Sequence, residues 1–454
     1  MLPDDVLLAI FDFCADENEI RKEEIEAWHT LVHVCHRWRT TVFGSPRRLN
    51  LQLVCSAKTP ARDTLDVWPA LPLVIRCFSG LGIEKVDDVV AVLEHSNRVR
   101  QIGLILVSSP DLEKISAAMQ VPFPELTRLH LRSNKETVPA LRNSFLGGSA
   151  PCLRYISLHG IPFPGLPKLL LSATHLVDLC LFDIPHSGYF SPVAIVTALS
   201  TLTSLRELLL QFQSPRSRPD KANRRPPPPT HFILPLLTRF SFKGVGEYLE
   251  DFVARIDAPR LKNLVINFFN QIIFDTPQLI QFISRTRKFN ALEKAGVTFE
   301  DGAACVNLTS KTSRHRGLSV RILCRELDWQ VSSLEQVCTF CLPPLSMLED
   351  LYISEVPYWQ SDWQDNVENT LWLELLRPFT AVKSFYLSEE FARRIVPSLQ
   401  ELIGVRTTEV LPAVESIFLE GLQPSGPVQE GIGLFVATRQ VIGRHIEISR
   451  WERA

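Results

Sequence analysis

Long apolar runs, a basic leader and an excess of charge of one sign are all missing from this 454-residue chain. No uninterrupted apolar stretch reaches the roughly 18 residues of a membrane-spanning helix. The start, MLPDDVLLAIFDFC, carries two aspartates where a secretory signal needs a basic region, and no small-residue cleavage site follows. Patterns for N-terminal myristoylation and C-terminal prenylation are also lacking. Formal net charge is −2, so there is no global basic field of the kind that drives phosphate-backbone binding, and nucleic acid is not expected as a main partner. The ten cysteines (Cys14, Cys35, Cys55, Cys77, Cys152, Cys180, Cys305, Cys324, Cys338, Cys341) are scattered, mostly in apolar stretches. They lack the spacing of a disulfide framework and read as reduced, buried thiols. The expectation is a soluble chain of the cytoplasm or nucleus with no membrane partner.

Glycine is scarce as well, with 20 residues against 32 prolines, the reverse of average usage. What is abundant is leucine: 63 residues, close to 14% of the chain. Many of them fall into one recurring pattern of apolar, two residues, apolar, one residue, apolar. Its copies are Leu126/Leu129/Leu131, Leu153/Ile156/Leu158, Leu176/Leu179/Leu181, Leu205/Leu208/Leu210, Leu237/Phe240/Phe242, Leu261/Leu264/Ile266, Leu348/Leu351/Ile353, Val382/Phe385/Leu387 and Val414/Ile417/Leu419, with weaker copies from Val99 and Leu292. Consecutive first positions lie 23 to 34 residues apart, so the unit is long and irregular. The alternation at its end is that of a strand, with the second and third anchors on one face.

Between copies the period becomes helical. Val86, Val89, Val90 and Leu93 follow i, i+3, i+4, i+7, as do Leu249, Phe252, Val253 and Ile256. Ser191-Pro192 and Thr276-Pro277 each place a hydroxyl at a helix N-cap and proline at the first helical position. A strand-plus-helix unit cannot bury its own apolar face, but stacking about ten of them makes a continuous core with a strand-lined surface. As L-x-x-L-x-L, the copies resemble leucine-rich repeats over roughly residues 95 to 425. The asparagine of that family occurs at its matching place once, as Asn134. Elsewhere that position is often apolar and followed by proline: Gly160-Ile161-Pro162, Asp183-Ile184-Pro185, Glu355-Val356-Pro357. Packing and proline stiffness must hold these turns. A large α/β protein with a parallel sheet is the alternative fold.

Residues 1–45 are of another kind. Leu7, Ile10, Phe11 and Cys14 form a helical stripe behind a proline start with acids in the first turn. Trp28, Leu31, Cys35, Trp38 and Val42 form a second helical stripe. Two such helices leave apolar surface to be covered by the repeats or by a partner. Leu2-Pro3-Asp4-Asp5, then Leu7, Leu8, Ile10 and Phe11, then Leu31, Val34-Cys35 and Trp38-Arg39 together resemble the F-box, or F-box-like, module. The acidic linker between the helices is several residues longer than in a compact F-box. The resemblance implies binding to the Skp-type adaptor of cullin-RING ubiquitin ligases, with Leu2, Pro3, Leu7, Ile10, Phe11, Leu31, Val34, Cys35 and Trp38 as the contact set. A helical cap of the solenoid is the other reading of these residues. The layout as a whole, including the stretch from VFGSPRRLNLQLVC to residue 75, is similar to expanded F-box families of filamentous, mushroom-forming fungi. The organisation expected is α/β: the helical F-box module 1–45, then a leucine-rich-repeat-like solenoid 46–454 with a Pro/Arg-rich loop 213–231.

Catalytic and metal motifs are missing. There is no GxxxxGK[ST], no GxGxxG after a strand and no GxSxG. His29, His33 and His36 lie at i, i+4, i+7, but Thr30 stands where HExxH has glutamate, and they read as solvated or core histidines. Cys338-Thr339-Phe340-Cys341 is a lone CxxC, read as buried sulfur on a helix carrying Leu334 and Val337. The loop QSPRSRPDKANRRPPPPTH reads as a solvated insertion, with docking, a nuclear address or phosphorylation at Ser214 and Ser217 as alternatives. Tyr358, Trp359, Trp363 and Trp372 form a candidate aromatic hot spot or a core cluster. No cofactor and no metal are expected. The resemblances imply a non-catalytic substrate-recognition subunit of an SCF-type ligase whose repeats hold a target protein. A repeat scaffold outside any ligase and an α/β enzyme are the rival classes.

Overall fold

A computed structural model describes residues 2–15, 31–45, 51–56, 65, 70–77, 83–133, 138–219, 231–270, 274–311, 313–343, 345–356, 367–402, 408–421 and 425–452. Two compact units divide the chain, residues 1–188 and 189–454. Each is mixed α/β, a largely parallel sheet with helices between its strands, as in a leucine-rich-repeat-like stack. Among the described residues no helix is long and apolar enough to cross a membrane.

The first unit opens with α1 (Asp4–Ala15) and α2 (His36–Gly44). Six strands follow, β1 (Leu53–Ser56), β2 (Leu73–Cys77), β3 (Val99–Val107), β4 (Arg128–Ser133), β5 (Tyr155–His159) and β6 (Asp178–Ile184). They pair in chain order, all parallel. Helices α3 (Ile83–Leu93), α4 (Ser109–Ala118) and the short α5 (Leu166–Leu170) lie between them. Register explains the repeat. Leu129, Ile156 and Leu179 stand side by side, as do Leu131, Leu158 and Leu181, and all six are buried. Each copy thus adds one rung to two apolar columns, and removing this area from water is what holds neighbouring units together.

Chain exit from these strands is not left to proline alone. Gly160 (φ 67°) and Asp183 (φ 48°) adopt left-handed backbone at the strand ends, a conformation open to Gly and tolerated by Asp. Ile161 and Ile184 then turn inward. Asn134 lies outside the described residues.

The second unit has β7 (Glu207–Phe212), β9 (Arg239–Gly244) and β11 (Asn263–Phe268) in the expected succession, with α6 (Pro192–Leu199), α7 (Gly246–Val253) and a separate two-residue pair, β8 (Phe232–Ile233) with β10 (Ile256–Asp257). Ile256 therefore sits in β10 and does not extend the α7 stripe. After α8 (Pro277–Arg285) the pattern breaks. β12 (Lys294–Glu300) is the weak copy from Leu292, yet it does not pair with β11. Asp301-Gly302 turns the chain into β13 (Ala303–Ser310), antiparallel to β12, and β14 (Ser313–Ile322) runs back between β13 and β11. An Asp-Gly loop is a strong hairpin signal, and Val306, Leu308, Leu318, Val320 and Ile322 alternate inward. Gly317 is obligatory here, since a Cβ would stand 2.0 Å from the Leu308 carbonyl oxygen.

Beyond the hairpin the parallel order resumes with β15 (Asp350–Glu355), β16 (Ser384–Leu387), β17 (Ser416–Glu420) and β18 (Glu447–Trp451). Helices α9 (Leu327–Phe340), α10 (Asn369–Leu376), α11 (Glu389–Gln400) and α12 (Pro427–Val441) accompany them.

The two predicted caps behave differently. Ser191 Oγ accepts from the Ala194 amide at 3.2 Å and starts α6 as expected. The Thr276 hydroxyl caps nothing at α8. There the buried Glu250 carboxylate of α7 accepts from the Gln278 and Leu279 amides at 3.0 and 2.8 Å. A full charge satisfies the orphan donors and the positive helix end together. Glu250→Ala is expected to lower unfolding free energy by about 2 kcal/mol, because it leaves buried amides unpaired. Thr276→Val is expected to cost less, and denaturant unfolding of the two variants checks the order.

Candidate functional site

The nine residues of the implied adaptor contact set separate by side of helix. In α1, Leu7 (4% exposed) and Phe11 (0%) face inward, and Phe11 meets Trp38 edge-on at 4.8 Å between centroids. Trp38 and Leu31 are half-buried, whereas Pro3 and Cys35 are exposed. Leu2, Ile10 and Val34 are 51, 44 and 56% exposed, and Val6, outside the predicted set, is 42% exposed. Val6 and Ile10 are one helical turn apart, and the exposed Leu2 lies just ahead of the helix. Val6 and Ile10 form an apolar row along one flank of the buried Leu7/Phe11 stripe of α1. The apolar sector of α1 is thus wider than the part that the fold buries, which for a helix at the surface marks a place where something else packs.

The second stripe is not one helix. Residues 31–32 are helical, but Cys35 is extended (φ −161°, ψ 166°), and its Sγ accepts from the Trp38 amide at 3.5 Å as the N-cap of α2. The stripe is interrupted at Val34–Cys35, while Trp28 and His29 lie outside the described residues. His33 and His36 are both exposed and fall on opposite sides of that break. Arg37 ties the two segments. Its guanidinium donates to the Leu2 carbonyl at 2.5 Å and to Asp4 Oδ1 at 2.7 Å.

A second surface lies on the outward side of the second unit's sheet. Tyr352, Tyr386 and Phe418 are register neighbours on β15, β16 and β17. Their rings stack nearly parallel at 4.2 and 4.4 Å. Trp451 of β18 lies against Tyr352 and Tyr386 at 5.9 and 5.6 Å. Burial among these rings, with Tyr386 adjoining, pushes the Tyr352 phenol well up, so it stays a neutral donor. All four side chains are half-buried and reachable by solvent. A sequence signal for this ladder exists: the residue between the second and third anchors is aromatic in three consecutive copies, Leu351-Tyr352-Ile353, Phe385-Tyr386-Leu387 and Ile417-Phe418-Leu419.

The predicted tryptophan cluster yields one described member. Trp372 is a core residue at 1% exposure, packed on Phe299 and Phe391; Tyr358, Trp359 and Trp363 lie outside the described residues. In the Pro/Arg-rich loop, residues 220–230 lie outside them too, and Ser217 is 1% exposed and closed to a kinase as folded. Ser214 remains partly open. A cleft of about 460 Å³ at the β14 end is lined by Asn270, Gly302, Cys324, Glu326 and Trp329 among others. Burial, then Asp328 and Glu326, push the Cys324 thiol up to about 11. No group of three His, Cys, Asp or Glu side chains among the described residues is placed to hold a metal ion.

Cys338 and Cys341 sit at the end of α9, both buried. Burial pushes the Cys338 thiol far up and Cys341 to about 12, so both are protonated and poor nucleophiles at neutral pH. Cys35 and Cys152 are exposed. Thiol labelling of the native chain at pH 8 with mapping by mass is therefore expected to modify Cys35 and Cys152, and Cys338 and Cys341 only after unfolding. Equal labelling of all four would show the CxxC to be open. No protein-family model matches the sequence, and no curated protein matches it. Among solved structures, the leucine-rich repeat-containing protein LegL7 from Legionella pneumophila is similar at 11% sequence identity and a TM-score of 0.28, over 85% of this chain and 97% of that one.

Proposed function

We propose that this chain is a protein-interaction scaffold that serves as the target-recognition subunit of an SCF-type ubiquitin ligase. In this reading the N-terminal helices dock on a Skp-type adaptor, and the outward strand positions hold a target protein. The exposed apolar side chains Leu2, Val6 and Ile10, with Val34 exposed ahead of α2, carry the reading. They lie within the segment whose residues resemble an F-box, and they have the character of a surface made to be covered. The buried members of the set, Leu7 and Phe11, would hold the helices in shape for docking. Ubiquitin transfer would then be accelerated by proximity, with this chain supplying none of the chemistry.

Co-expression of the full chain with a Skp-type adaptor tests this. The wild type is expected to co-purify with the adaptor. Ile10→Asp with Val34→Asp is expected to abolish the complex while leaving the thermal unfolding transition in place, because both side chains are on the surface. Trp38→Ala is expected to lose both complex and N-terminal structure, because Trp38 packs on Phe11. Failure of the wild type to form a complex, or full retention by the double variant, overturns the ligase reading. It would leave a repeat scaffold whose helices only cap the stack.

A further inference from the structure

The outward face of the first unit's sheet carries arginines that no carboxylate among the described residues pairs with. On β4, Arg128 and Arg132 are exposed and His130 lies between them, while Leu129 and Leu131 point to the core. His130 is in register with Gly103 on β3, and Gly103 with the exposed Arg76 on β2. Glycine in the middle leaves the space between Arg76 and His130 without a side chain. At usual strand spacings these two backbones are about 10 Å apart, and Arg128 and Arg132 about 13 Å.

Among the described residues no carboxylate lies within ion-pair distance of Arg76, Arg128, His130 or Arg132. The Arg128 guanidinium lies over the Tyr155 ring at 4.4 Å, a stacking that leaves its N–H edge available to an acceptor. Among the described residues the acids on this face are Asp183, 3.5 Å from His159, and Asp178 at the far side of Tyr155. The second unit treats its outward cations differently: Arg239 pairs with Glu207 at 3.1 Å, Arg321 with Glu300 at 2.6 Å and Lys294 with Asp350 at 3.8 Å. Burial, and then His159, Arg132 and Arg128, all push His130 below the usual histidine range. Every charged neighbour acting on it there is cationic or potentially so.

We infer that this face, formed by Arg76, Arg128, His130 and Arg132 around Gly103, binds an extended acidic segment of a partner protein. Guanidinium forks match carboxylates in geometry as well as charge. The cations span more area than the oxygens of one phosphate, but alternate residues of an extended chain recur about every 6.6 Å, the spacing of Arg128, His130 and Arg132 along their strand. Carboxylates four residues apart would therefore meet Arg128 and Arg132, with the neutral His130 imidazole between them as a hydrogen-bond partner and Arg76 about 10 Å to the side, beyond Gly103. The inference names a partner chemistry for the strand surface in the functional reading above and is independent of adaptor docking.

Fluorescence anisotropy with a labelled hexaglutamate peptide and the full chain tests it. Binding is expected to saturate at low ionic strength and to weaken steeply with added salt. Arg128→Gln with Arg132→Gln is expected to weaken it by about tenfold or more, and Arg76→Gln by a smaller factor. Arg239→Gln, on the outward face of the second unit, is expected to leave it unchanged. Absence of saturable binding, or equal loss in Arg239→Gln, overturns the assignment. Displacement of hexaglutamate by inorganic phosphate at equal molar concentration also overturns it, in favour of a compact anion site. Adaptor co-purification is a separate readout, so either result stands without the other.

Discussion

Period-two burial along short parallel strands is the constraint on which the rest of this structure depends. One residue in two faces the helices, and register places it beside its counterparts on both neighbouring strands. Leu264 therefore stands between Phe240 and Leu318, and Ile266 between Phe242 and Val320. Columns of this kind accept Leu, Ile, Val, Phe and even Ala295, provided the volume is made up elsewhere. A slip of one residue would turn each anchor to the solvent. That is why the spacing is kept although unit length varies.

Most of the array was legible because its signal is the same one that the fold uses. All eleven copies, the two weak ones included, place their anchors in the core, and Ser191 caps its helix as its sequence context implies. Other features depended on distant residues. The cap of α8 comes from Glu250, a residue far away in sequence, so a hydroxyl followed by proline at Thr276-Pro277 gave the boundary without the mechanism. The antiparallel β12–β13–β14 segment departs from the three-anchor pattern because β13 and β14 alternate plainly, and its mark in the sequence is Asp301-Gly302 between β12 and β13. The break at Cys35 shows the limit of apolar periodicity: a stripe continues across an N-cap when both segments pack on the same core.

For the candidate sites, residue type was readable and side was not. Leu7 and Ile10 fit the same F-box resemblance, yet one is core and the other surface. The difference lies in which side of α1 meets α2, with Phe11 and Trp38 as the contact. Conversely, Tyr352, Tyr386 and Phe418 occupy outward positions, which apolar periodicity leaves unspecified, although parallel register lines them up as strictly as it lines up the anchors. The cationic row on β4 has the same origin. Once the inward positions are fixed, the intervening ones become an ordered array of side chains at known spacing, and the two units use it differently, one for stacked rings and paired ions, the other for arginines without a carboxylate partner among the described residues.

Aspartate scanning along β11 tests the division of faces most directly, with denaturant unfolding of the full chain as the readout. Leu264→Asp and Ile266→Asp are expected to cost several kcal/mol, because each places an unpaired charge in the core. Val265→Asp and Asn267→Asp, half-buried on the outward side, are expected to stay within about 1 kcal/mol of the wild type. A profile without that alternation would contradict the parallel, period-two architecture and the surfaces built on it.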